Sequence, residues 1–477
     1  MGHDLFFHEF LLLGLLWLGM LRYWLWSQGR AATCQTSLTP VKPIKTRSKE
    51  PKPFPGLRHK PSCEACEHAA ESCLQALSAP PPRLVSVRGR RREVDTSSHF
   101  CPNLTCSSQG WVGRGHLHAN GHPGGGPWRQ FSGLGCQGYC QETYGTPLHG
   151  KRISPERLVW AVGALAEGLG IRAVARVFAV DPNTVLPWLV EAADHLKAFS
   201  EDFLHDVRVT QVPLDELDAR LRAVKEGEVR EAEALTRLSR SSHWVWVALD
   251  PVSKLLLTID VGDRTLAMAQ GVVHQVVQVL APGCVPLFLT DGFKAYATAL
   301  LAHCGQWVQP PRRQATGPVP KPRWMPLPQL CYAQVVKSYR RRRVVRVSHR
   351  VVFGTLAAVE QVLAAQSWHI NTACIERINL TIRQHVAAVG RRVMTLCTGE
   401  DGLHQQLALY QTYDNFCLPH ASLRQSLPHP EPTHGSGSAK RWRPRTPAMA
   451  AGLTDHVWTW RDVLRFRVPP WPQPQAV

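Results

Sequence analysis

The chain has 477 residues, which exceeds one ordinary domain and predicts roughly two to four units with at least one sizeable core. It carries 55 Lys and Arg against 36 Asp and Glu, for a formal net charge of +19. This surplus favours a polyanionic partner, either nucleic acid or an anionic membrane surface. The 14 cysteines cluster in the first third of the chain and are otherwise single. That pattern is unlike a secreted disulfide framework and indicates a reducing compartment.

Residues 1–30 contain a strongly apolar stretch at 5–26, in which Phe10–Leu21 carries no charge. A helical membrane span needs about 20 such residues, and the basic residues that follow would keep the rest of the chain cytoplasmic. Acidic leading residues disfavour a cleaved signal peptide. The segment is therefore either a membrane anchor or an upstream extension, and we expect a cytoplasmic protein that is free or anchored through residues 5–26.

Residues 31–98 are rich in Pro, Lys and Arg, which predicts an extended, solvated linker. The linker contains three cysteines at Cys63, Cys66 and Cys73. The first two have the spacing of a zinc-binding pair, but no fourth ligand stands nearby. Spare thiols in a linker are the alternative.

Residues 99–150 resemble a zinc ribbon, because two cysteine pairs flank a glycine-rich stretch. The four cysteines are Cys101, Cys106, Cys136 and Cys140. Ribbon pairs are usually two residues apart, and position 133, which would pair with Cys136 at that spacing, is Gly. Three histidines stand close enough in the sequence to substitute as Zn²⁺ ligands, or else they are solvated: His116, His118 and His122. Zinc binding by the four cysteines is therefore a candidate function of this segment.

Residues 151–200 show helical spacing of apolar side chains from Leu158 to Leu169, a break at Gly170, and a second apolar pattern from Ile171. Asp181 and Pro182 suit the cap and first position of a third helix, which carries Asn183 and Thr184. This pattern predicts a helix-turn-helix that binds DNA through the third helix. An ordinary helical bundle is the alternative, and Pro187 should kink the third helix.

Beyond residue 207 strands and helices alternate. A first strand covers residues 207–217 and contains Asp215, and two β-rich runs, 243–249 and 254–261, are joined by a turn at Asp250 and should form a hairpin. A helix at 267–280 follows. Residues 286–290 read as a buried strand that ends at Asp291, on the edge where mixed α/β sheets place their chemistry.

Residues 375–392 predict a helix with one apolar stripe, formed by Ile375, Ile378, Ile382, Val386 and Val389. Glu376, Asn379 and Arg383 lie beside that stripe. A helix docked by its isoleucines would hold Glu376 at the rim of the sheet. Two strand aspartates and a helix glutamate, Asp215, Asp291 and Glu376, are the hard oxygen ligands that two-metal phosphoryl transfer with Mg²⁺ or Mn²⁺ requires.

Three motifs in this region resemble short bacterial insertion-element transposases of the insertion-sequence-one type. They are LDEL at 214–217, LTDGFKAY at 289–296 and IERINLTIRQHVAAVGRR at 375–392, and the likeness covers residues 101–425. The resemblance implies a catalytic domain at 207–425, an α/β fold whose mixed ribonuclease-H-like sheet is flanked by helices in the strand order 3-2-1-4-5, and an Asp-Asp-Glu triad of Asp215, Asp291 and Glu376. It gives Arg383 the place of the basic residue that follows the glutamate.

The implied reaction is hydrolysis at the ends of a DNA element followed by attack of the freed 3′ hydroxyls on target DNA. The implied partner is double-stranded DNA, at both element ends and target, with the protein acting as a homo-oligomer. Phosphate contacts are expected from basic clusters at Arg340, Arg341, Arg342, Arg343, Arg391 and Arg392. A solvated charged edge is the alternative for the first of these clusters.

Departures from the family pattern leave a second function open. Gly133, Pro187 and Pro213 are each locally unfavourable where they stand, and the N-terminus and the basic, Pro-rich tail at 426–477 lie outside the pattern. The alternative is therefore a catalytically inactive, membrane-tethered DNA-binding relic of a transposase.

Overall fold

The computed structural model describes residues 94–221, 242–312, 319–341, 343–389, 397, 399–432 and 438–470. Several predictions fall outside these ranges: the apolar segment 1–30, most of the linker with its three cysteines, Arg342, Arg391 and Arg392. Within the described ranges, none of the helices is long and apolar enough to cross a membrane.

The cysteine-bearing segment forms a small antiparallel sheet. Its strands are β1 (Leu117–Ala119), β2 (Gln130–Gly133) and β3 (Tyr139–Gln141), in that order. Phe131 is its buried centre. A sheet this small buries little apolar surface, so its stability depends on what packs against it.

Three helices follow, as predicted: α1 (Pro155–Ala166), α2 (Ile171–Val177) and α3 (Pro182–Phe203). The side chain of Asp181 accepts a hydrogen bond from the backbone N–H of Asn183, so it caps α3 as expected. The helix continues through Pro187 as one α-helix. Its buried face, which includes Leu189, Leu196 and Phe199, belongs to the main core.

The central sheet has six strands in the spatial order β11-β10-β7-β4-β5-β6. The strands of the second half of the chain are β4 (Gln211–Arg220), β5 (Ser242–Leu249), β6 (Leu256–Gly262), β7 (Leu287–Thr290), β8 (Gly305–Val308), β9 (Arg323–Pro326), β10 (Tyr332–Arg340) and β11 (Arg343–Phe353). β4, β7 and β10 are parallel neighbours, and the other pairs of the central sheet are antiparallel. β8 and β9 form a separate two-stranded sheet.

The expected strand order is observed. If β4, β5, β6, β7 and β10 are numbered 1 to 5 along the chain, their order across the sheet is 3-2-1-4-5. β11 lies beside β10 as an additional edge strand. The predicted hairpin is present as β5 and β6, so the sheet is mixed, with its parallel strands at the centre.

Pro213 occupies a central strand, where it cannot donate a ladder hydrogen bond. It pairs with Leu289 of β7, whereas pairing with β5 begins one residue later, at Leu214. Pro213 therefore lies outside the part of β4 that pairs with β5, where no backbone N–H is needed on that side. The sheet accommodates this proline for that reason.

Helices cover both faces of the sheet. They are α4 (Leu266–Val279), α5 (Ala295–His303), α6 (Leu356–Ala364), α7 (Ala373–His385) and α8 (Glu400–Thr412). The buried side chains of α4 and α5 join the large core that includes α1 and α3. α7 and α8 pack with β4, β5 and β6 on the other face, and α6 covers β7 and β10. The sheet is thus the middle of three layers.

The helix predicted to reach Arg392 is shorter than expected and ends at His385. Val386 turns to an extended conformation, and residues 387–389 form a single 3-10 turn against β4. Val386 and Val389 are nevertheless buried. Both valines are thus buried just as they would be if the helix continued. For this reason the spacing of apolar residues did not show where the helix ends.

The C-terminal stretch predicted as a tail contains regular structure. It forms β12 (Gln425–Glu431), β13 (Lys440–Arg443), α9 (Pro447–Ala450) and α10 (Trp460–Arg465). α10 packs on α1 and α3, and Nε2 of the buried His195 on α3 lies 2.9 Å from the carbonyl oxygen of Val463. The stretch after residue 446 therefore completes the core of the helical region.

Candidate active site

Asp215 and Asp291 come together because β4 and β7 are parallel neighbours. Pro213 and Leu289 form the last residue pair between β4 and β7, so each aspartate lies two residues beyond that pair. One carboxylate oxygen from each of Asp215, Glu216 and Asp291 lies within 4.8 Å of the other two. This is the edge on which the sequence predicted the chemistry.

Asp215 is held by two hydrogen bonds. The backbone N–H of Glu216 donates to its Oδ1 at 2.9 Å, and Nδ2 of Asn379 on α7 donates to its Oδ2 at 2.8 Å. Burial, together with the like charges of Asp291 and Glu376, raises the pKa of Asp215 to about 6. Burial is the largest cause of this rise in the pKa, and the positive charge of Lys337 opposes it.

Asp291 is more exposed and is held from two sides. The backbone N–H of Phe293 donates to Oδ1 at 2.9 Å. Nη2 of Arg264, from the loop between β6 and α4, lies 3.5 Å from Oδ2. The orientation of this carboxylate is thus set by a backbone donor and a cation.

Glu376 lies in the first turn of α7 and faces the same depression. The hydroxyl of Thr372 donates to its Oε1 at 2.9 Å, and Lys337 of β10 forms an ion pair with it. The depression has a volume of about 590 Å³, and its polar lining comes from Asp215, Arg264, Asp291, Lys294, Lys337, Tyr339, Thr372 and Glu376. The three predicted carboxylates therefore share one site, although Glu376 lies outside the closer group that Asp215, Glu216 and Asp291 form.

Glu216 was not singled out from the sequence. Its side chain is 1% exposed, and Nε and Nη2 of Arg264 donate to its Oε2 at 3.1 and 2.9 Å. Burial raises the pKa of Glu216 to about 7, and Arg264 opposes that shift. The sequence did contain an indication of this. Asp215 and Glu216 are adjacent in a central strand, so their side chains point to opposite faces of the sheet. Each buried charge then needs a partner on its own face.

The donor set suits a divalent hard cation. Asp215, Asp291 and Glu376 offer carboxylate oxygens, the ligands that Mg²⁺ and Mn²⁺ prefer. Oδ1 of Asn379 is a buried oxygen without a hydrogen-bond partner among the described residues. A cluster of carboxylates with a raised pKa and an unsatisfied oxygen beside it is compatible with cation binding.

The remaining predicted residues are not among those that line this depression. Arg383 lies two turns after Glu376 on α7 and is half-buried. Arg340, Arg341 and Arg343 are exposed at the turn of the β10–β11 hairpin. Asn183 and Thr184, the two residues of α3 predicted to contact DNA, are exposed in the first turn of that helix.

Three of the four predicted zinc ligands assemble. One sulfur from each of Cys101, Cys106 and Cys136 lies within 4.8 Å of the other two, and the Sγ atoms of Cys101 and Cys136 are 3.6 Å apart. Burial raises the pKa of Cys101 to about 12, whereas the Gly138 N–H lowers the pKa of Cys136 to about 7. Three soft ligands are available, and one position of a tetrahedral site is not filled by them.

Cys140, the fourth predicted ligand, is not part of this three-sulfur group. Cys140 pairs with Phe131 in the sheet and lies outside the sulfur cluster. Its neighbour is the buried guanidinium of Arg467, from the C-terminal stretch, which also stacks on Phe100. The ring nitrogens of His116 are buried and lack hydrogen-bond partners within the described ranges. Like Cys140, His116 lies outside the group in which the three sulfurs are within 4.8 Å of one another.

Comparisons with known proteins add little. The chain matches no protein-family model and no curated protein. Two solved structures are similar over 32% of this chain: the crystal structure of the Mos1 strand transfer complex, at 15% identity, and that of a pre-cleavage Mos1 transpososome, at 14%. The chain covers 57% and 59% of those two chains, less than two thirds of their length, and both TM-scores are 0.13. TM-scores this low do not establish a shared fold.

Proposed function

We propose that this protein is a transposase that cleaves and joins DNA by metal-dependent phosphoryl transfer, with Asp215, Asp291 and Glu376 as its catalytic carboxylates. The proposal includes a ribonuclease-H-like core of the insertion-sequence-one type. One observation carries it: three carboxylates from two neighbouring parallel strands and a separate helix line one depression. Phosphoryl transfer needs hard ligands held by separate rigid elements.

The residues around the triad would orient its carboxylates and place positive charge beside them. Asn379 orients Asp215, and Thr372 and Lys337 orient Glu376. When bound, divalent ions would neutralise the carboxylates, activate the attacking oxygen and stabilise the leaving oxygen. Lys337 and Arg264 add positive charge beside the place where a DNA phosphate would bind. Arg383 is proposed as a further phosphate contact by its position on α7.

DNA contacts are proposed for two surfaces. The first is the exposed start of α3, with Asn183 and Thr184, in a helix-turn-helix that α2 and α3 would form. The second is the hairpin turn with Arg340, Arg341 and Arg343, where an exposed basic ribbon suits the phosphate backbone. Action as a homo-oligomer on DNA stays a prediction.

The three-cysteine cluster is proposed as a zinc site. Cys101, Cys106 and Cys136 supply thiols at suitable separation, and His116 is the proposed fourth ligand because its ring nitrogens are buried and unsatisfied within the described ranges. A metal here would hold the small N-terminal sheet together and play no part in the cleavage step.

The deciding experiment is Mg²⁺-dependent nicking of a duplex that carries the inverted repeats flanking the gene. Replacing Glu376 with Gln keeps its size but removes a negative ligand, and Asp215→Asn and Asp291→Asn do the same. We expect each change to reduce cleavage and strand transfer about 100-fold or more, while DNA affinity is kept. Because the three act as one site, combining them should add little further loss.

Asp218→Asn is the matched control, since Asp218 lies on the same strand as Asp215 but is exposed. It should retain most activity. Asp250→Asn, in the turn between β5 and β6, is a second control, because the Asp250 side chain accepts hydrogen bonds from Val252 and Ser253 of its own turn. A wild-type protein that binds the duplex and never cuts it would favour the inactive relic instead.

A further inference from the structure

The group of Asp215, Glu216 and Asp291 contains one carboxylate more than the proposed function uses at that edge of the sheet. A divalent ion could take Glu216 as a ligand, or Glu216 could serve another residue. The two possibilities are separable, because the contacts of Glu216 differ from those of the two aspartates.

Glu216 faces away from the open depression. Its side chain is 1% exposed, against 42% for Asp291. Its Oε2 already accepts two N–H groups of Arg264 at 2.9 and 3.1 Å. The guanidinium therefore supplies the positive charge that this buried carboxylate needs, and the buried Tyr296 side chain acts on the same carboxylate.

Arg264 connects Glu216 to Asp291. The nitrogen that lies 2.9 Å from Glu216 is also 3.5 Å from Oδ2 of Asp291. The guanidinium carbon lies 4.5 Å from the centre of the Phe293 ring and 5.0 Å from that of Trp244. Phe293 in turn donates its backbone N–H to Oδ1 of Asp291. The contacts form a closed circuit around one metal-binding carboxylate.

We propose that Arg264, clamped by Glu216, is a positioning residue that holds the Asp291 carboxylate in its metal-binding orientation, and that Glu216 is not a metal ligand. This inference rests on the metal site of the proposed function and assigns two residues that the triad leaves out. Residues that orient metal ligands commonly contribute about 10–100-fold to metal affinity.

The test is Mn²⁺ binding to the full-length protein without DNA, measured by calorimetry at fixed pH. Arg264→Lys keeps the charge and the ion pair with Glu216, but the lysine ammonium ends about one bond short of Nη2, the atom that lies near Asp291. We expect the dissociation constant for Mn²⁺ to rise about 10-fold. Arg461→Lys, at an arginine that pairs with the distant Glu156, should leave it unchanged.

Glu216→Gln should weaken Mn²⁺ binding to a similar extent, and the double variant with Arg264→Lys should be no weaker than either single variant, because both changes break one circuit. If Glu216 were a ligand, Arg264→Lys would release it and Mn²⁺ would bind as tightly or more tightly. That result overturns the inference. Circular dichroism of Arg264→Lys, which keeps the buried charge pair, separates lost positioning from lost folding.

Failure of this inference is distinguishable from failure of the proposed function. A wild-type protein that cleaves DNA while Arg264→Lys binds Mn²⁺ normally refutes only the role of Arg264. A wild-type protein that binds Mn²⁺ in an Arg264-dependent way but never cleaves DNA supports the positioning role and refutes the transposase. Absence of Mn²⁺ binding to the wild-type protein refutes the inference and the metal site together.

Discussion

Gly133 shows how one residue changes a whole site. A Cβ placed on it would lie 2.8 Å from Sγ of Cys136 and 3.6 Å from Sγ of Cys101. Position 133, where a cysteine would stand if it paired with Cys136 at the usual two-residue spacing, therefore lies next to the sulfur cluster. The glycine leaves that corner without a ligand, and Cys140 is too far along the sheet to replace it.

Replacing Gly133 with Cys should complete a four-thiolate site, because the new side chain enters next to the two nearest sulfurs and Cys136 has to shift only slightly. We expect tighter Zn²⁺ binding and, with Co²⁺ as a probe, stronger sulfur-to-metal charge-transfer absorption. Gly121→Cys is the control, since nothing lies within 4 Å of a Cβ there. Equal Co²⁺ spectra for the two variants would rule out a metal centre at the cluster.

At the scale of elements, the β10–β11 hairpin extends well past the sheet. β7 pairs with β10 only from Tyr332 to Gln334, whereas β10 and β11 stay paired to Arg340 and Arg343. The outer part is thus a two-stranded ribbon with exposed arginines. A ribbon of this width fits a DNA major groove, and the same arginines would also protect an exposed edge strand from pairing.

Arg340→Ala and Arg343→Ala distinguish these roles through the salt dependence of DNA binding. If each arginine neutralises a phosphate, the slope of log K against log salt should become shallower by about 0.9 for each contact removed. Fluorescence anisotropy of a labelled duplex measures the slope. Arg461→Ala, at an arginine already paired with Glu156, should not change it. Unchanged slopes for the hairpin variants would make these arginines solvated edge charges.

For the whole molecule, the C-terminal stretch is part of the main core. Val463 and Leu464 of α10 are fully buried with side chains of α1 and α3. Phe199 of α3 packs against Phe416, Trp458 and Phe466 with ring centres 5.1–5.3 Å apart. Residues more than 200 positions apart in sequence thus form one aromatic cluster, which predicts cooperative unfolding of the helical region with its C-terminal partner.

Leu464→Ala should lower the free energy of unfolding by about 2–5 kcal/mol, since it removes a fully buried side chain and leaves a cavity. Urea unfolding followed by tryptophan fluorescence measures the loss. Arg461→Ala on the exposed side of the same helix should cost about 1 kcal/mol or less. If Leu464→Ala instead loosened only the C-terminal residues to protease and left the main transition in place, the stretch would be a separate unit.

Local patterns in the sequence determined the elements of this protein. Alternation and turn residues located β5, β6 and β7, the cap at Asp181 located α3, and the short apolar run before Asp291 located the strand end that carries it. These features depend on hydrogen bonds and periodicities within a few residues, so they can be read from neighbours along the chain. The motif resemblance implied the strand order that is observed and the three carboxylates that are proposed as catalytic.

Tertiary structure alone decided which groups meet. The clamp of Glu216 by Arg264 joins residues 48 positions apart, and the pair of Lys337 with Glu376 joins two elements 39 positions apart. The same holds for the separation of Cys140 from the other cysteines and for the end of α7 at His385. Such contacts depend on how faces of different elements pack, and burial decides whether a charge needs a partner. The spacing of residues within one segment carries no information about such packing between segments.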